Sequence, residues 1–127
     1  MTPVARTSGA VAPDPAAVLG KALLSAAGRL GLRPRQMAAI LGVSEASLSR
    51  LQRGRGIDPG CKEGELALLF LRMYRSLDAL VGGDDERGRA WLHAMNDHLA
   101  AVPAERIVTV EGLVDVVQYL DAMRGRL

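Results

Sequence analysis

Glu45, Ala46, Ser49, Arg50 and Arg53 recur at the spacing of one helical face, and together they are small, hydrogen-bonding and cationic. This is the chemistry of contact with nucleic acid. Guanidinium groups reach base edges or phosphates, serine hydroxyls donate and accept, and an alanine leaves room for close approach. Arg35, Gln36 and Ser44 just upstream and Arg55 just downstream complete the candidate DNA-binding set. Other reactive residue types are sparse. Cys61 is the single cysteine, so it cannot make an internal disulfide, and no histidine adjoins it; it reads as a surface or half-buried thiol. His93 and His98 flank Asn96 and Asp97, but neither a cysteine-rich nor a paired-histidine spacing accompanies them, and no metal is expected. No nucleophile and base are suitably spaced, and no glycine-rich phosphate loop follows a strand. The chain therefore reads as a non-enzyme without a cofactor.

The elements that must position the cationic face are two short helices with a tight turn between them, a helix-turn-helix. Met37, Ala38, Ile40 and Leu41 give the first helix a buried side, and Gly42 can take the left-handed conformation that ends it. Val43 packs the elbow. Ser44 is suited to cap the second helix, Glu45 suits the positive end of its dipole, and Leu48 and Leu51 anchor it inward. Before this pair, Asp14-Pro15 announces a helix in which Leu19, Leu23, Ala26, Ala27 and Leu30 recur at helical spacing until Gly31. Met1 to Pro13 has no periodicity and reads as a flexible tail. After Arg53, the stretch Gly54 to Gly60 is dense in helix breakers, and its arginine is in a position to reach the phosphate backbone. The expected organisation is a tail over 1–13, a DNA-binding unit over 14–60 and a second helical unit over 61–127.

In the second unit, Glu63 to Val81 predicts a strongly apolar helix. Leu66, Leu69, Phe70, Met73, Leu77 and Leu80 lie on one stripe, and Leu68 and Leu71 off it. Asp84 and Asp85 would cap the next helix, with Gly88, Trp91, Leu92 and Met95 as its packing face and Trp91 in the core. Pro103 to Ile107 fits one helical turn, and Thr109 would cap the last helix. Val110, Leu113, Val114, Val117 and Leu120 are its expected core stripe, and Gly112, Val116, Tyr119, Met123 and Leu127 form a second apolar stripe free to meet another chain.

Charge divides the chain in the same place. From Met1 to Lys62 there are nine Lys/Arg against three Asp/Glu, a surplus of +6; from Glu63 onward there are seven against eleven, or −4, giving the net +2. A basic half meets phosphates, and an acidic, apolar half meets protein. Of the 127 residues 49% are hydrophobic but only 3% aromatic, which predicts an all-α protein with a core of Leu, Val, Ala and Met. Neither a spanning apolar run nor a secretory signal is evident, so a cytoplasmic protein is expected.

Leu30-Gly31-Leu32, Gly42-Val43-Ser44, Leu48-Ser49-Arg50-Leu51, Leu71-Arg72-Met73-Tyr74-Arg75-Ser76-Leu77, Ala90-Trp91-Leu92 and Thr109-Val110-Glu111-Gly112-Leu113, followed by Tyr119-Leu120, occur in an order that resembles the Xre/MbcA/ParS antitoxins. The resemblance runs from about Val18 to Arg124. It implies an all-helical homodimer with an N-terminal Xre-like helix-turn-helix and a C-terminal toxin-binding part. The implied partners are operator DNA and a RES-type toxin that degrades NAD, with the operon repressed by the antitoxin or its complex. Val116, Tyr119, Met123, Arg124, Arg126 and Leu127 are the toxin-binding candidates, and the resemblance implies that Arg124 and Arg126 enter the toxin pocket meant for a dinucleotide's phosphates. The stretch usually similar to Gly-Gly-Arg-Pro in such proteins reads Leu99-Ala100-Ala101-Val102-Pro103. The alternative is a stand-alone dimeric repressor whose C-terminal half only dimerises.

Overall fold

A computed structural model describes residues 12–126; of the expected tail, residues 1–11 lie outside the described residues, as does Leu127. Among the described residues there are seven helices and no strand. They are α1 (Pro15–Arg29), α2 (Pro34–Leu41), α3 (Glu45–Gln52), α4 (Lys62–Leu80), α5 (Asp85–His93), α6 (Pro103–Arg106) and α7 (Val110–Arg124). No helix among them is long and apolar enough to cross a membrane.

Local chemistry sets most of the ends. Asp14 accepts from the Ala16 N–H at 3.2 Å and Pro15 opens α1, where its missing N–H costs nothing. Asp84 caps α5 by accepting from the N–H groups of Glu86 and Arg87 at 3.0 and 3.2 Å. Thr109 caps α7 through the Gly112 N–H at 3.0 Å. Cys61 is half-buried and caps α4, its sulfur accepting from the Gly64 N–H at 3.4 Å and donating to the Asp58 carbonyl at 3.1 Å.

The centre of the molecule is α4, which packs on α1 along one side and α7 along the other, with α2 and α5 also touching it. Phe70, Met73 and Leu77 are fully enclosed between these neighbours. Because helices close on it from two sides, its buried arc is wider than one stripe. Leu71, expected off the stripe, is buried, while Leu66, Leu69 and Leu80 are half-buried and Leu68 stays 49% exposed. The breaker-rich loop before α4 does not separate two cores, since one buried cluster spans both sides of it. Its Ile57 is buried and donates its N–H to the Ala16 carbonyl at 2.9 Å, tying the loop back to α1.

The last helix differs in phase from the expected stripe. Gly112, Leu113, Val116, Val117 and Leu120 face the core, whereas Val110 is 59% exposed and Val114 half-buried. The interior takes the seam between the two apolar stripes, because α7 lies flat along α4 and buries positions from both. In α5, Gly88 and Leu92 pack inward, but Met95 lies beyond the helix end and is 68% exposed. Trp91 is half-buried at the edge of the core.

Candidate DNA-reading and toxin-binding surfaces

The helix-turn-helix forms as its residues dictate. Met37, Ala38, Ile40 and Leu41 of α2 and Leu48 and Leu51 of α3 are buried together. Gly42 ends α2 at φ 69°, and the Ser44 hydroxyl accepts from the Ser47 N–H at 3.0 Å. Glu45, Ala46 and Arg50 are exposed on α3 and Arg53 at its C-cap, with Ser49 half-buried beside them. Two serines hold the arginines along the helix: Arg50 donates to the Ser47 hydroxyl at 2.9 Å and Arg53 to the Ser49 hydroxyl at 3.2 Å. Ser47 was not expected in this role, although its i,i+3 spacing from Arg50 is the signal for it. A guanidinium has five donors, so each arginine keeps most of them for a ligand.

At the start of α2, Arg35 is exposed and Gln36 half-buried. The Gln36 side-chain oxygen accepts from the Arg33 N–H at 2.8 Å, which leaves its amide N–H groups to donate outward. Arg55 instead faces Glu63 across 3.0 Å, so a phosphate would have to compete with a carboxylate for it.

The toxin-binding candidates divide. Val116 is fully enclosed in the core and is no part of the surface, a consequence of the phase of α7. The half-buried Tyr119 ring is stacked with Trp91, centroids 6.2 Å apart and planes 16° apart, and lies 5.7 Å from the ring of His98. Met123 is half-buried, and Arg124 and Arg126 are exposed. Leu127 lies outside the described residues. The two histidines turn to different neighbours, since His93 Nε2 meets the Leu30 carbonyl at 2.9 Å.

Around Arg124 the end of α7 and the middle of α4 enclose an open cleft of about 620 Å³, lined by Arg72, Arg75, Ser76, Asp121, Arg124 and Gly125. At its floor is Ser76, the one buried polar side chain among the described residues. Its hydroxyl donates to Asp121 Oδ1 at 2.7 Å and accepts from Arg124 Nη1 at 3.1 Å. Arg72 pairs with the other oxygen of Asp121. The Ser76 hydroxyl, with help from Arg72 and Arg124, holds the Asp121 carboxyl below its ordinary value against the opposing effect of burial. Three arginines face one aspartate, so the rim is cationic although the C-terminal half as a whole is acidic.

Two family models match in tandem. Residues 9–72 match the antitoxin Xre-like helix-turn-helix domain, and residues 76–126 match the antitoxin Xre/MbcA/ParS C-terminal toxin-binding domain. The chain belongs to the Xre/MbcA/ParS antitoxins. Comparison with curated proteins gives no match. The family assigns the antitoxin a helix-turn-helix DNA-binding domain and a toxin-binding domain, and the border between the two matches falls inside α4, between residues 72 and 76. The same helix therefore belongs to both domains, packing on α1 and α2 of the first match and on α7 of the second.

Proposed function

We propose that this antitoxin neutralises a RES-type, NAD-degrading enzyme by binding it through the C-terminal half, and represses its own operon through α2 and α3. The observation that carries the reading is the pairing, on one chain, of an outward basic helix with a toxin-binding domain whose last helix ends in exposed arginines beside a cationic cleft. In the complex, Arg124 and Arg126 occupy the pocket that the enzyme keeps for the phosphates of the dinucleotide, while Tyr119 and Met123 supply apolar contact. Arg35, Gln36, Ser44, Glu45, Ala46, Ser49, Arg50, Arg53 and Arg55 contact DNA. The antitoxin acts in the cytoplasm as a homodimer, for which Val18, Leu68, Val108 and Val110 offer exposed apolar surface. Two reading helices in such a dimer favour inverted repeats about 34 Å apart, one helical turn, or a multiple of it.

The test is NAD consumption by the toxin, titrated with the full-length antitoxin and with a chain lacking residues 123–127. That cut spares Leu120, which is enclosed in the core, and the Asp121–Ser76 contact. Full-length protein should inhibit, and the shortened chain should inhibit far less. Undiminished inhibition by the shortened chain overturns the occlusion mechanism. Absence of inhibition by either, with operator binding intact, would return the chain to the stand-alone repressor reading.

A further inference from the structure

A second cleft, of about 390 Å³, opens where the corner between α1 and α2 meets α5, and its lining residues are Gly31, Arg33, Gln36, Arg89 and His93. Its chemistry has one sign. Two guanidiniums, an imidazole and a carboxamide face it, and none of these lining residues is acidic. Arg89 and His93 belong to the toxin-binding domain, yet both hold the end of α1: Arg89 Nη1 donates to the Arg29 carbonyl at 3.1 Å, and His93 Nε2 meets the Leu30 carbonyl at 2.9 Å. The aliphatic stem of Arg89 lies on Gly31, where an added Cβ would come within 3.1 Å of Arg89 Cδ. These contacts are all to main chain. They fix the Arg89 side chain without neutralising it, and four of its five donors remain. Of the two acids in the first turn of α5, Asp85 faces Arg29 across 3.5 Å, and neither it nor Glu86 forms an ion pair with Arg89.

Gln36 forms the opposite wall and belongs to the first helix of the DNA-reading pair. Its oxygen accepts from the Arg33 N–H, and its two amide N–H donors make no hydrogen bond among the described residues. A concavity that offers donors from three elements and no acceptor charge suits an anion with several exposed oxygens, and the one that α2 meets in use is a DNA phosphate. We propose that Arg89, with Arg33, clamps a backbone phosphate of the operator while His93 holds the end of α1 beside them, so that the toxin-binding half supplies part of the DNA interface. The clamp rests on the DNA-reading role of α2 and α3. It contributes grip and register, with no sequence preference of its own.

The experiment is operator binding by the full-length antitoxin across a salt series, for R89Q, R33Q and R89K, with R50A/R53A as the reference for the reading face. R89Q and R33Q should each lower affinity about five- to tenfold, on operator and unrelated duplex alike, and flatten the slope of log K against log salt by about 0.9. R89K should keep the slope, because a lysine retains the charge. Unchanged affinity and slope in both Gln variants, with R50A/R53A weakened, overturns the clamp and leaves the reading role standing. If R50A/R53A also binds as tightly as the parent, the reading role has failed and the clamp with it. Arg89 also covers the end of α1, so melting curves accompany R89Q; should it unfold, R33Q decides, since the Arg33 main-chain N–H, not its guanidinium, makes the α2 cap contact.

Discussion

Val114 and Val116 stand two residues apart on α7 and have opposite surroundings, Val116 fully enclosed and Val114 half-buried. Truncating Val116 to Ala takes two methyl carbons out of a closed site. At about 0.8 kcal/mol per buried carbon this forfeits about 1.6 kcal/mol, and the space left behind raises the loss to about 2–3 kcal/mol. With an unfolding entropy of about 2.1 cal/mol/K per residue, a chain of 127 residues loses about one degree of Tm per 0.27 kcal/mol, so Val116→Ala should melt about 7–11 °C lower. The same change at Val114, where water already reaches the side chain, should cost below about 1 kcal/mol, or less than about 4 °C. Thermal melting followed by far-ultraviolet circular dichroism reads both. Equal shifts, or a larger one at Val114, would refute the placement of α7 against α4 and restore Val116 as a candidate for the toxin surface.

Two more outcomes follow from single residues. Ala100 sits at φ 54° inside the tight turn closed by the Asn96–Ala101 pairing, a conformation that costs a side-chain-bearing residue about 1–2 kcal/mol. Ala100→Gly relieves that strain at some entropic cost in the unfolded chain and should raise Tm by about 2–4 °C; a fall in Tm would contradict it. Asp121 has its pKa lowered in the folded protein, chiefly by the Ser76 hydroxyl, so it stabilises the fold above its unfolded value, about pH 4, and that contribution drains away as acid takes the pH through the folded value. Urea midpoints measured from about pH 7 downward should therefore fall more steeply for the parent than for D121N, and parallel curves would show that the Ser76–Asp121–Arg72 contacts contribute nothing.

The helix-turn-helix was legible because its determinants are local. Gly42, Ser44 and the spacing of Leu48 and Leu51 act within a few residues of each other, and the structure adds only the serines that steady Arg50 and Arg53. The C-terminal half was legible in element type but not in phase. Its last helix carries apolar residues round more than half its girth, so periodicity offered two stripes, and only the position of α4 shows that Gly112 and Val116 join the core while Val110 leaves it. Met95 was misplaced because α5 ends two residues earlier than an apolar count suggests. The contacts of Arg89 and His93 with Arg29 and Leu30 span some sixty residues of chain, and no local pattern announces a partner so distant.

Helix α4 walls both halves, and its Phe70, Met73 and Leu77 are enclosed by neighbours from each. A chain built on such a shared wall opens as one unit, because melting either half strips the other of its cover. For an antitoxin this fixes a common lifetime. A protease that acts on the opened chain cannot remove the helix-turn-helix domain and spare the toxin-binding domain, so both are lost in the same event.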